Sequence, residues 1–274
     1  MSQLSDPPAP VAAYVRVGGR ALLASDLTRG PWHPDHQHAG PPVAMVCGAV
    51  EEVARGHGLT HISRLTANLI RPVPIGEITV EVMTDYVGRN AGHFSAHLIA
   101  GDKQVGRFTA LAQREAHIEL PGSMPGHPLP RMPVPPDDAV EAHFPFRNAK
   151  IGYGNLVETR VAAGRMFQGP CAIWFRLLHP LLEGEEPSPY QRVAVAADSG
   201  NGISAVLDYH EYSFVNSDLT INLLRRPLGE WICLEARTYA DETGAGLAES
   251  ALFDVTGLIG RSTQSLAIRK RNRG

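Results

Sequence analysis

One sequence segment occurs twice in the chain, and this repeat constrains the fold more than any other feature. Residues 65–84 read LTANLIRPVPIGEITVEVMT and residues 219–238 read LTINLLRRPLGEWICLEART, with shared residues at a constant offset (219 − 65 = 154). The match resumes farther on, where Gly106-Arg107 corresponds to Gly260-Arg261. A repeat of this length is far larger than the unit of a solenoid or propeller. It predicts one domain fold that is present in two fused copies.

A proline-rich segment separates the two copies. Between residues 121 and 136 there are seven prolines and two glycines. Proline lacks the backbone N–H that a helix or sheet interior requires, so we expect an exposed linker there. We therefore predict an N-terminal domain at residues 1–118, a linker at 119–140 and a C-terminal domain at 141–274.

Composition excludes several classes of protein. A hydrophobic content of 43% and a charged content of 19% are ordinary for a globular protein with a full core. The net charge of −3 argues against a nucleic-acid partner. The sequence contains neither a membrane-length apolar run nor a signal peptide, which predicts a cytoplasmic protein without a membrane partner. The three cysteines form no C-x-x-C unit, so we expect buried, reduced thiols.

The first copy predicts a hairpin, a helix and a set of strands. The hairpin is expected at residues 12–24 around Gly18-Gly19, and the helix near 43–54, since apolar residues recur there at helical spacing. Pro42 suits the first helical turn, and Gly56 suits the end. Strands are predicted at Arg64–Arg71, Glu77–Val87, His93–Ala100 and Gln104–Gln113.

The second copy predicts the same order of elements. We expect a short helix after Asp198 and an antiparallel sheet in meander order, because the connections are short. This is an α+β fold, a tandem (double) hotdog in which two antiparallel sheets each wrap around a central helix. Strands are predicted at Leu156–Ala162, Cys171–Leu177, Phe214–Leu224, Trp231–Tyr239, Gly246–Asp254 and Leu258–Ile268.

The two copies differ at two polar positions, which points to a site retained in only one of them. Gln264 occupies the position at which the first copy has Ala110. Asp198, in the segment AADSGNG, stands roughly where the first copy has His38 or Ala39. A carboxylate in an apolar run could act as a general base. The alternatives are that Asp198 is only a helix N-cap and that Gln264 is a solvent-facing strand residue.

A third group of polar residues lies close by in sequence. Asn216, Asp218 and Thr220 alternate along one predicted strand, which would place them on one face of the sheet. A hydroxyl or an amide on that face could hold a water molecule. The alternative is a solvated strand face.

The loop before the first helix contains three histidines within six residues, at His33, His36 and His38. Their spacing matches no standard zinc pattern, so neither a metal nor a cofactor is expected. The turn His38-Ala39-Gly40 is better interpreted as a close approach to a ligand. Gly40, Gly200 and the adjacent Asn201 lie near helix starts, where free backbone N–H groups would stabilise developing negative charge on a substrate.

Five segments of the chain resemble a known family. GPWHPDHQHAGPPVAM, LTANLIRPVP, VAVAADSGNG, NSDLTINLLRRPLGEW and GLIGRSTQSLAIR together span nearly the whole sequence. In order and spacing they are similar to the acyl-CoA thioesterase II family of double-hotdog proteins. The resemblance implies hydrolysis of acyl-CoA to free acid and CoA, with acyl-CoA as the substrate partner and no cofactor.

The resemblance also assigns catalytic positions. In that family an Asp, a Gln and a Thr from the second hotdog activate a water molecule. The Asp and Gln fall on Asp198 and Gln264. The threonine position falls on Asn216, which departs from the family pattern, and Thr220 is the candidate to replace it.

Two other functions stay open at this point. One is a non-catalytic acyl-CoA binding protein whose site has drifted, motivated by Asn216. The other is a hotdog hydratase or dehydratase, which would pair a histidine with an acidic residue. No histidine lies beside Asp198 in sequence, although His38 could approach it from the other copy. By analogy with the fold, a homo-oligomer is also expected.

Overall fold

The computed structural model describes residues 10–121, 129–145 and 150–271, and all structural statements refer to these. The linker residues 122–128 of the predicted boundary lie outside them, as do residues 1–9 of the predicted first domain. The helices are α1 (Gly40–Gly56), α2 (Tyr153–Leu156), α3 (Pro189–Ala197) and α4 (Gly200–Ile203). The strands are β1 (Tyr14–Gly18), β2 (Ala21–Ala24), β3 (His61–Leu69), β4 (Glu77–Val87), β5 (Ala91–Ala100), β6 (Lys103–Gln113), β7 (Val140–Ala142), β8 (Val157–Ala163), β9 (Cys171–Leu177), β10 (Tyr212–Asn216), β11 (Asp218–Leu223), β12 (Ile232–Ala240), β13 (Ala245–Asp254) and β14 (Gly257–Lys270).

The strands form one continuous antiparallel sheet. Its order is β1-β2-β4-β5-β6-β3-β11-β14-β13-β12-β9-β8-β7, and β10 also pairs with β14. The two halves of the chain join where β3 pairs with β11, with Thr66 opposite Thr220. The expectation of a simple meander is therefore wrong for β3, which returns to pair with β6 instead of its sequence neighbour β4.

The two longer helices, α1 and α3, pack against the sheet and touch each other. α1 packs on β3, β4, β5 and β6, while α3 packs on β9, β11 and β12. They run antiparallel, since Gly40 of α1 lies against Val195 and Gly48 lies against Gln191. A Cβ atom added to Gly40 would lie 2.6 Å from the Val195 carbonyl oxygen, so only glycine permits this approach.

The helices follow from local sequence in different ways. α1 begins at Gly40 with prolines in its first turn, as the position of Pro42 predicts. α3 begins after Ser188, whose hydroxyl accepts a hydrogen bond from the Gln191 amide while the Gln191 side chain binds the Ser188 amide. α3 was not predicted, because its capping signal precedes Asp198 instead of following it. In the described residues that follow Asp198, the only helix is the single turn α4.

Each half carries a one-residue bulge at the corresponding place in its sheet. In the first half, Ile62 pairs with Ala112 and Arg64 with Leu111, so two steps on β3 match one on β6. In the second half, the strand predicted at Phe214–Leu224 is divided at Ser217 into β10 and β11. A bulge shifts which face of the sheet the following side chains occupy.

Residues 132–134, within the predicted linker, contact strands of the second half of the sheet. The Trp174 Nε1–H donates a hydrogen bond to the Val134 carbonyl oxygen at 2.7 Å. Met132 packs against a cluster of Trp174, Trp231 and neighbouring side chains on that face. Most of the described residues in the predicted linker are exposed, while Met132 is half-buried and Pro136 is buried.

None of the helices in the described part of the chain combines the length and apolar character needed to cross a bilayer. All three cysteines are free and buried, and burial raises the pKa of the Cys171 thiol to about 12.

Candidate active site

Asp198 lies at the junction of α3 and α4. It is the residue that ends α3, and its side chain is 5% exposed. The interpretation of Asp198 as a helix N-cap is therefore wrong. A carboxylate at the C-terminal end of a helix faces the negative end of the helix dipole, which is unfavourable for folding. Its position there calls for compensating contacts.

Two side chains from distant segments supply these contacts. The Asn216 Nδ2 group donates a hydrogen bond to Asp198 Oδ1 at 2.8 Å. The His38 Nδ1 atom lies 3.1 Å from Asp198 Oδ2. Because His38 belongs to the first half and Asp198 to the second, the two copies build this cluster together.

The His38 ring is fixed on three sides. It stacks on the Tyr153 ring with centroids 3.7 Å apart, and the Gly40 N–H lies 3.2 Å from Nδ1. Burial lowers the pKa of His38, and the charge of Asp198 only partly opposes this. Nδ1 can either accept from the Gly40 N–H or carry the proton that faces Asp198, and because an ionised carboxylate can only accept, the proton of a neutral ring belongs on Nδ1 when Asp198 is ionised.

Tyr153 was not identified from the sequence. Its hydroxyl donates to the Val195 carbonyl oxygen at 3.0 Å and lies 2.8 Å from Ser199 Oγ. The residue is fully buried in α2, a single turn that the repeat did not reveal. Tyr153 therefore ties the His38 ring to residues on both sides of Asp198, to the Val195 backbone and to the Ser199 side chain.

Gln264 forms hydrogen bonds with the backbone around Asp198 and not with the Asp198 carboxylate. The Gln264 Nε2 group donates to the Asp198 carbonyl oxygen at 3.1 Å, and Oε1 accepts from the Asn201 N–H at 2.9 Å. The side chain is 2% exposed, so the alternative of a solvent-facing strand residue is wrong. Gln264 holds the turn between α3 and α4 in place.

Thr220 does not share a face with Asn216, so that expectation is wrong. Asn216 pairs with Leu266 and Thr220 with Thr263, which means that four steps along β10 and β11 match three along β14. The bulge at Ser217 reverses the alternation. The Thr220 hydroxyl instead donates to Thr66 Oγ1 at 3.2 Å, where the two halves of the sheet meet.

The residues near helix starts that were predicted to bind substrate make several contacts within the protein. The Gly40 nitrogen lies 3.2 Å from His38 Nδ1, and Pro41 and Pro42 have no N–H to offer. The Gly200 carbonyl oxygen accepts from the Ser204 hydroxyl at 2.8 Å. Asn201 is 6% exposed, and its Nδ2 group donates to the Phe214 carbonyl oxygen at 3.4 Å.

A cavity of about 660 Å³ opens beside the Asp198 cluster. Four of the predicted site residues line it, namely His38, Asp198, Asn201 and Asn216. The lining does not include the other four, Gly40, Gly200, Thr220 and Gln264. Five aromatic side chains form much of the wall, namely Trp32, Phe144, Phe167, Tyr209 and Phe214. The cavity is therefore suited to an apolar group held next to a carboxylate.

Cationic side chains lie at the same cavity and elsewhere. Arg71 and Arg271 are among its lining residues. Arg225 does not line the cavity and is bound to Asp254, with Nη1–Oδ2 at 2.6 Å and Nη2–Oδ1 at 2.7 Å. Burial raises the pKa of Asp254, but the hydrogen bonds from Arg225 and Thr256 outweigh it and lower the pKa to about 2. Arg225 is therefore a structural residue.

The histidine-rich loop also contributes to the cavity wall. His33 and His36 line it and stack on each other with centroids 4.3 Å apart, whereas His38 turns to Asp198. Among the described residues, no group of three or more His, Cys, Asp or Glu side chains is arranged to hold a metal ion.

Two family models match the sequence. The model of the acyl-CoA thioesterase N-terminal domain matches residues 28–113, and that of the acyl-CoA thioesterase C-terminal domain matches residues 130–268. The second match alone contains Asp198, Asn216 and Gln264, while His38 falls in the first. Among functionally curated proteins, none matches the sequence.

Solved structures share the fold over nearly the full length. A hot dog fold protein of unknown function from Alicyclobacillus acidocaldarius is 17% identical, with a TM-score of 0.69 over 94% of this chain and 96% of that one. A candidate thioesterase II from Thermobifida fusca is 14% identical, with a TM-score of 0.72 over 94% and 96%. An acyl-CoA thioesterase II from Mycobacterium marinum is 15% identical, with a TM-score of 0.60 over 94% and 96%. These likenesses establish a hot dog fold.

Proposed function

The chain belongs to the acyl-CoA thioesterase family and is a thioesterase, and from this premise we propose that it hydrolyses acyl-CoA by direct attack of water at Asp198. Acyl-CoA is the substrate class that family membership implies. The observation that carries the proposal is the buried Asp198 carboxylate, which contacts His38 and Asn216 on the wall of an apolar cavity.

The architecture that we propose for this function is a tandem hotdog. Each half would contribute a sheet segment around one central helix, α1 or α3. The domains would lie at 1–118 and 141–274 with the linker between them. Because His38 and Asp198 come from different halves, neither half would be active alone. A homo-oligomer of this unit remains a prediction.

Asp198 would accept the proton of the attacking water. Asn216 donates to one carboxylate oxygen and His38 lies beside the other, so each oxygen keeps acceptor capacity for a water molecule. The new bond joins the water oxygen to the acyl carbon, and the carbon–sulfur bond breaks. The electron pair leaves with CoA as a thiolate, which then takes up the proton from Asp198. General-base catalysis of this kind contributes about 10²–10⁴-fold to a rate.

His38 would keep the carboxylate correctly oriented. Since burial lowers its pKa, the ring is neutral near pH 7 and can donate through Nδ1 without forming a fixed ion pair. Tyr153 prevents the ring from rotating away, because the two rings stack in parallel. Gln264 completes the support by fixing the Asp198 backbone.

Asn216 would also supply a donor to the reacting carbonyl. Its amide has two N–H groups, of which one is used on Asp198, and the residue lines the cavity. The amide therefore replaces the threonine hydroxyl of the family pattern with a group that can bind water or the developing oxyanion. Loss of one such donor typically costs about 3–4 kcal/mol of transition-state stabilisation.

The experiment that tests the proposal measures CoA release from a panel of acyl-CoA esters. We expect turnover by the wild-type protein and no initial burst of CoA, since direct water attack forms no acyl-enzyme. A stoichiometric burst, or full activity of the Asp198→Asn variant, would contradict the mechanism. Tight acyl-CoA binding without any CoA release would favour the acyl-CoA binding protein instead.

One observation favours a second activity, the hydration or dehydration of an acyl-CoA. That chemistry pairs a histidine with an acidic residue, and the structure brings His38 to Asp198 across the two halves. Incubation with an enoyl-CoA separates the two functions. Loss of the enoyl absorbance without CoA release would identify a hydratase, and CoA release alone supports the thioesterase.

A further inference from the structure

Phe167 adopts a backbone conformation that a bulky residue rarely takes. Its φ is 62°, and among the described residues no other non-glycine has a positive φ. Left-handed backbone costs free energy for residues with a Cβ, and glycine or asparagine would avoid most of this cost. Backbone strain of this kind is concentrated at functional sites.

Hydrogen bonds from the β8–β9 loop hold Phe167 in this conformation. The Phe167 N–H donates to the Ile203 carbonyl oxygen at 2.8 Å, and the Gly169 N–H donates to the Ala205 carbonyl oxygen at 2.9 Å. Ile203 ends α4, the turn that begins two residues after Asp198. The loop is therefore attached to the same segment that positions the candidate catalytic carboxylate.

The Phe167 side chain forms part of the cavity wall. Its ring lies 6.3 Å from the Phe144 ring and 6.0 Å from the Tyr209 ring, and all three residues line the cavity with Asp198. The ring also packs between the main core and the small cluster around Phe214. The strained backbone thus places a large ring where a glycine would leave open space.

We propose that Phe167 is a specificity-determining residue that limits the size of the acyl group accepted beside Asp198. This inference rests on the proposed thioesterase function, because it assigns the ring-lined part of the cavity to the acyl group. Phe167 would act by occupying space that a longer acyl chain requires.

The test compares acyl groups of increasing length in the wild type and in Phe167→Ala. We expect the ratio of kcat/KM for long over short acyl groups to rise in the variant, by about fourfold for each additional CH₂ that becomes buried, which corresponds to about 0.8 kcal/mol. Phe167→Trp should shift the ratio in the opposite direction. An equal change for every acyl length would overturn the inference, since it would place the ring against the CoA part common to all substrates.

Two further variants separate specificity from folding. Met166→Ala changes the neighbouring residue, which packs on the core but does not line the cavity, and should leave the length profile unchanged. Phe167→Gly removes the ring and also the strain, so it should show the same length profile as Phe167→Ala with a higher denaturation midpoint. Different profiles for the alanine and glycine variants would contradict a role for the ring itself.

A binding measurement keeps this inference distinguishable from the proposed function. S-alkyl-CoA thioethers of increasing chain length cannot be hydrolysed, and their Kd values report the cavity alone. If the wild type releases no CoA but Phe167→Ala shifts the Kd series toward longer chains, the hydrolysis mechanism fails and the inference stands. If hydrolysis is normal and neither series shifts, the inference fails and the mechanism stands.

Discussion

Both ends of the antiparallel α1–α3 pair bring the start of one helix to an acidic residue of the other, but among the described residues only one end borders a cavity. At one end, His38, just before α1, meets Asp198 at the end of α3. At the other end, Ser188, just before α3, meets Glu51 in the last third of α1, where its hydroxyl donates to Glu51 Oε2 at 2.5 Å. Each helix start therefore contacts an acidic residue of the other helix.

The Glu51 end is closed by side chains. His61 Nδ1 lies 3.0 Å from the Tyr190 hydroxyl and Nε2 lies 3.1 Å from the Leu223 carbonyl oxygen, so both ring nitrogens are bonded. Glu51 lines neither of the two described cavities. Burial raises its pKa, although the hydrogen bond from Ser188 and the charges of Arg55 and Arg226 act in the opposite direction.

The comparison indicates what turns a helix contact into a site. Both ends bury a carboxylate in a polar cluster between α1 and α3. Only the Asp198 end adds an amide from a bulged strand, a glutamine in place of Ala110, and an aromatic cavity. The acidic residue alone therefore does not distinguish the ends, whereas access to a cavity does.

The largest expected difference is between matched neutralisations at the two ends. Asp198→Asn should lower kcat by about 10³-fold, within the range for loss of a general base. Glu51→Gln should leave kcat within about twofold, because Gln can still accept from Ser188 and no cavity is affected. Steady-state CoA release measures both. Equal losses in the two variants would show that the ends are functionally equivalent.

Variants of His38 and His61 should separate catalysis from stability. His38→Asn should lower kcat by about 10²-fold, whereas His61→Asn should leave kcat nearly unchanged and lower the free energy of unfolding by about 1–2 kcal/mol. CoA release and urea denaturation distinguish these effects. A purely structural effect of His38→Asn would contradict its assigned role.

The dependence of activity and stability on pH should also distinguish His38 from His61. Burial lowers the folded-state pKa of His38 below its ordinary value of 6.5, so kcat/KM should be flat near pH 7 and fall only at more acidic pH. As the pH falls, His38 takes up its proton in the unfolded state at a higher pH than in the folded state. The contribution of His38 to the free energy of unfolding is therefore fully present above pH 6.5 and is lost as the pH falls from 6.5 through the folded-state pKa. His38→Asn should remove that part of the slope of unfolding free energy against pH.

Exchanging the residues at the repeat positions should produce intermediate effects. Gln264→Ala leaves the Asn201 N–H and the Asp198 carbonyl oxygen without this partner, so it should cost about 2–3 kcal/mol of stability and lower kcat about tenfold. Ala110→Gln inserts a larger side chain into the core of the other half and should cost about 1–3 kcal/mol without altering kcat. Thermal denaturation and CoA release test the pair, and an unchanged kcat in Gln264→Ala would contradict the positioning role.

The smallest effect is expected at the junction of the two halves. Thr220→Val and Thr66→Val each remove one hydroxyl of the same hydrogen bond. Each should lower stability by about 0.5–1 kcal/mol and leave kcat within about twofold. A large loss of kcat in Thr220→Val alone would restore this residue as the third catalytic group.

Most individual elements could be predicted from periodicity, but their connections could not. The alternation in residues 77–87 predicts β4 with the same bounds, and Cys171–Leu177 likewise. The bulge at Ser217 could not be predicted, because one additional residue in a strand changes no local propensity. It moved Thr220 away from the site and left Asn216 facing Asp198. α3 was not predicted, although the capping box formed by Ser188 and Gln191 marks its start in the sequence.

The sequence by itself determined the family and the hot dog fold, and it contains the internal repeat whose two copies differ at Gln264 and near Asp198. Repeats and alternating patterns are local properties that any single chain displays. Only the tertiary structure decided that His38 contacts Asp198, that Tyr153 holds the His38 ring, and that Phe167 faces the cavity. These contacts join segments more than a hundred residues apart or depend on one backbone angle, and sequence spacing carries no information about either.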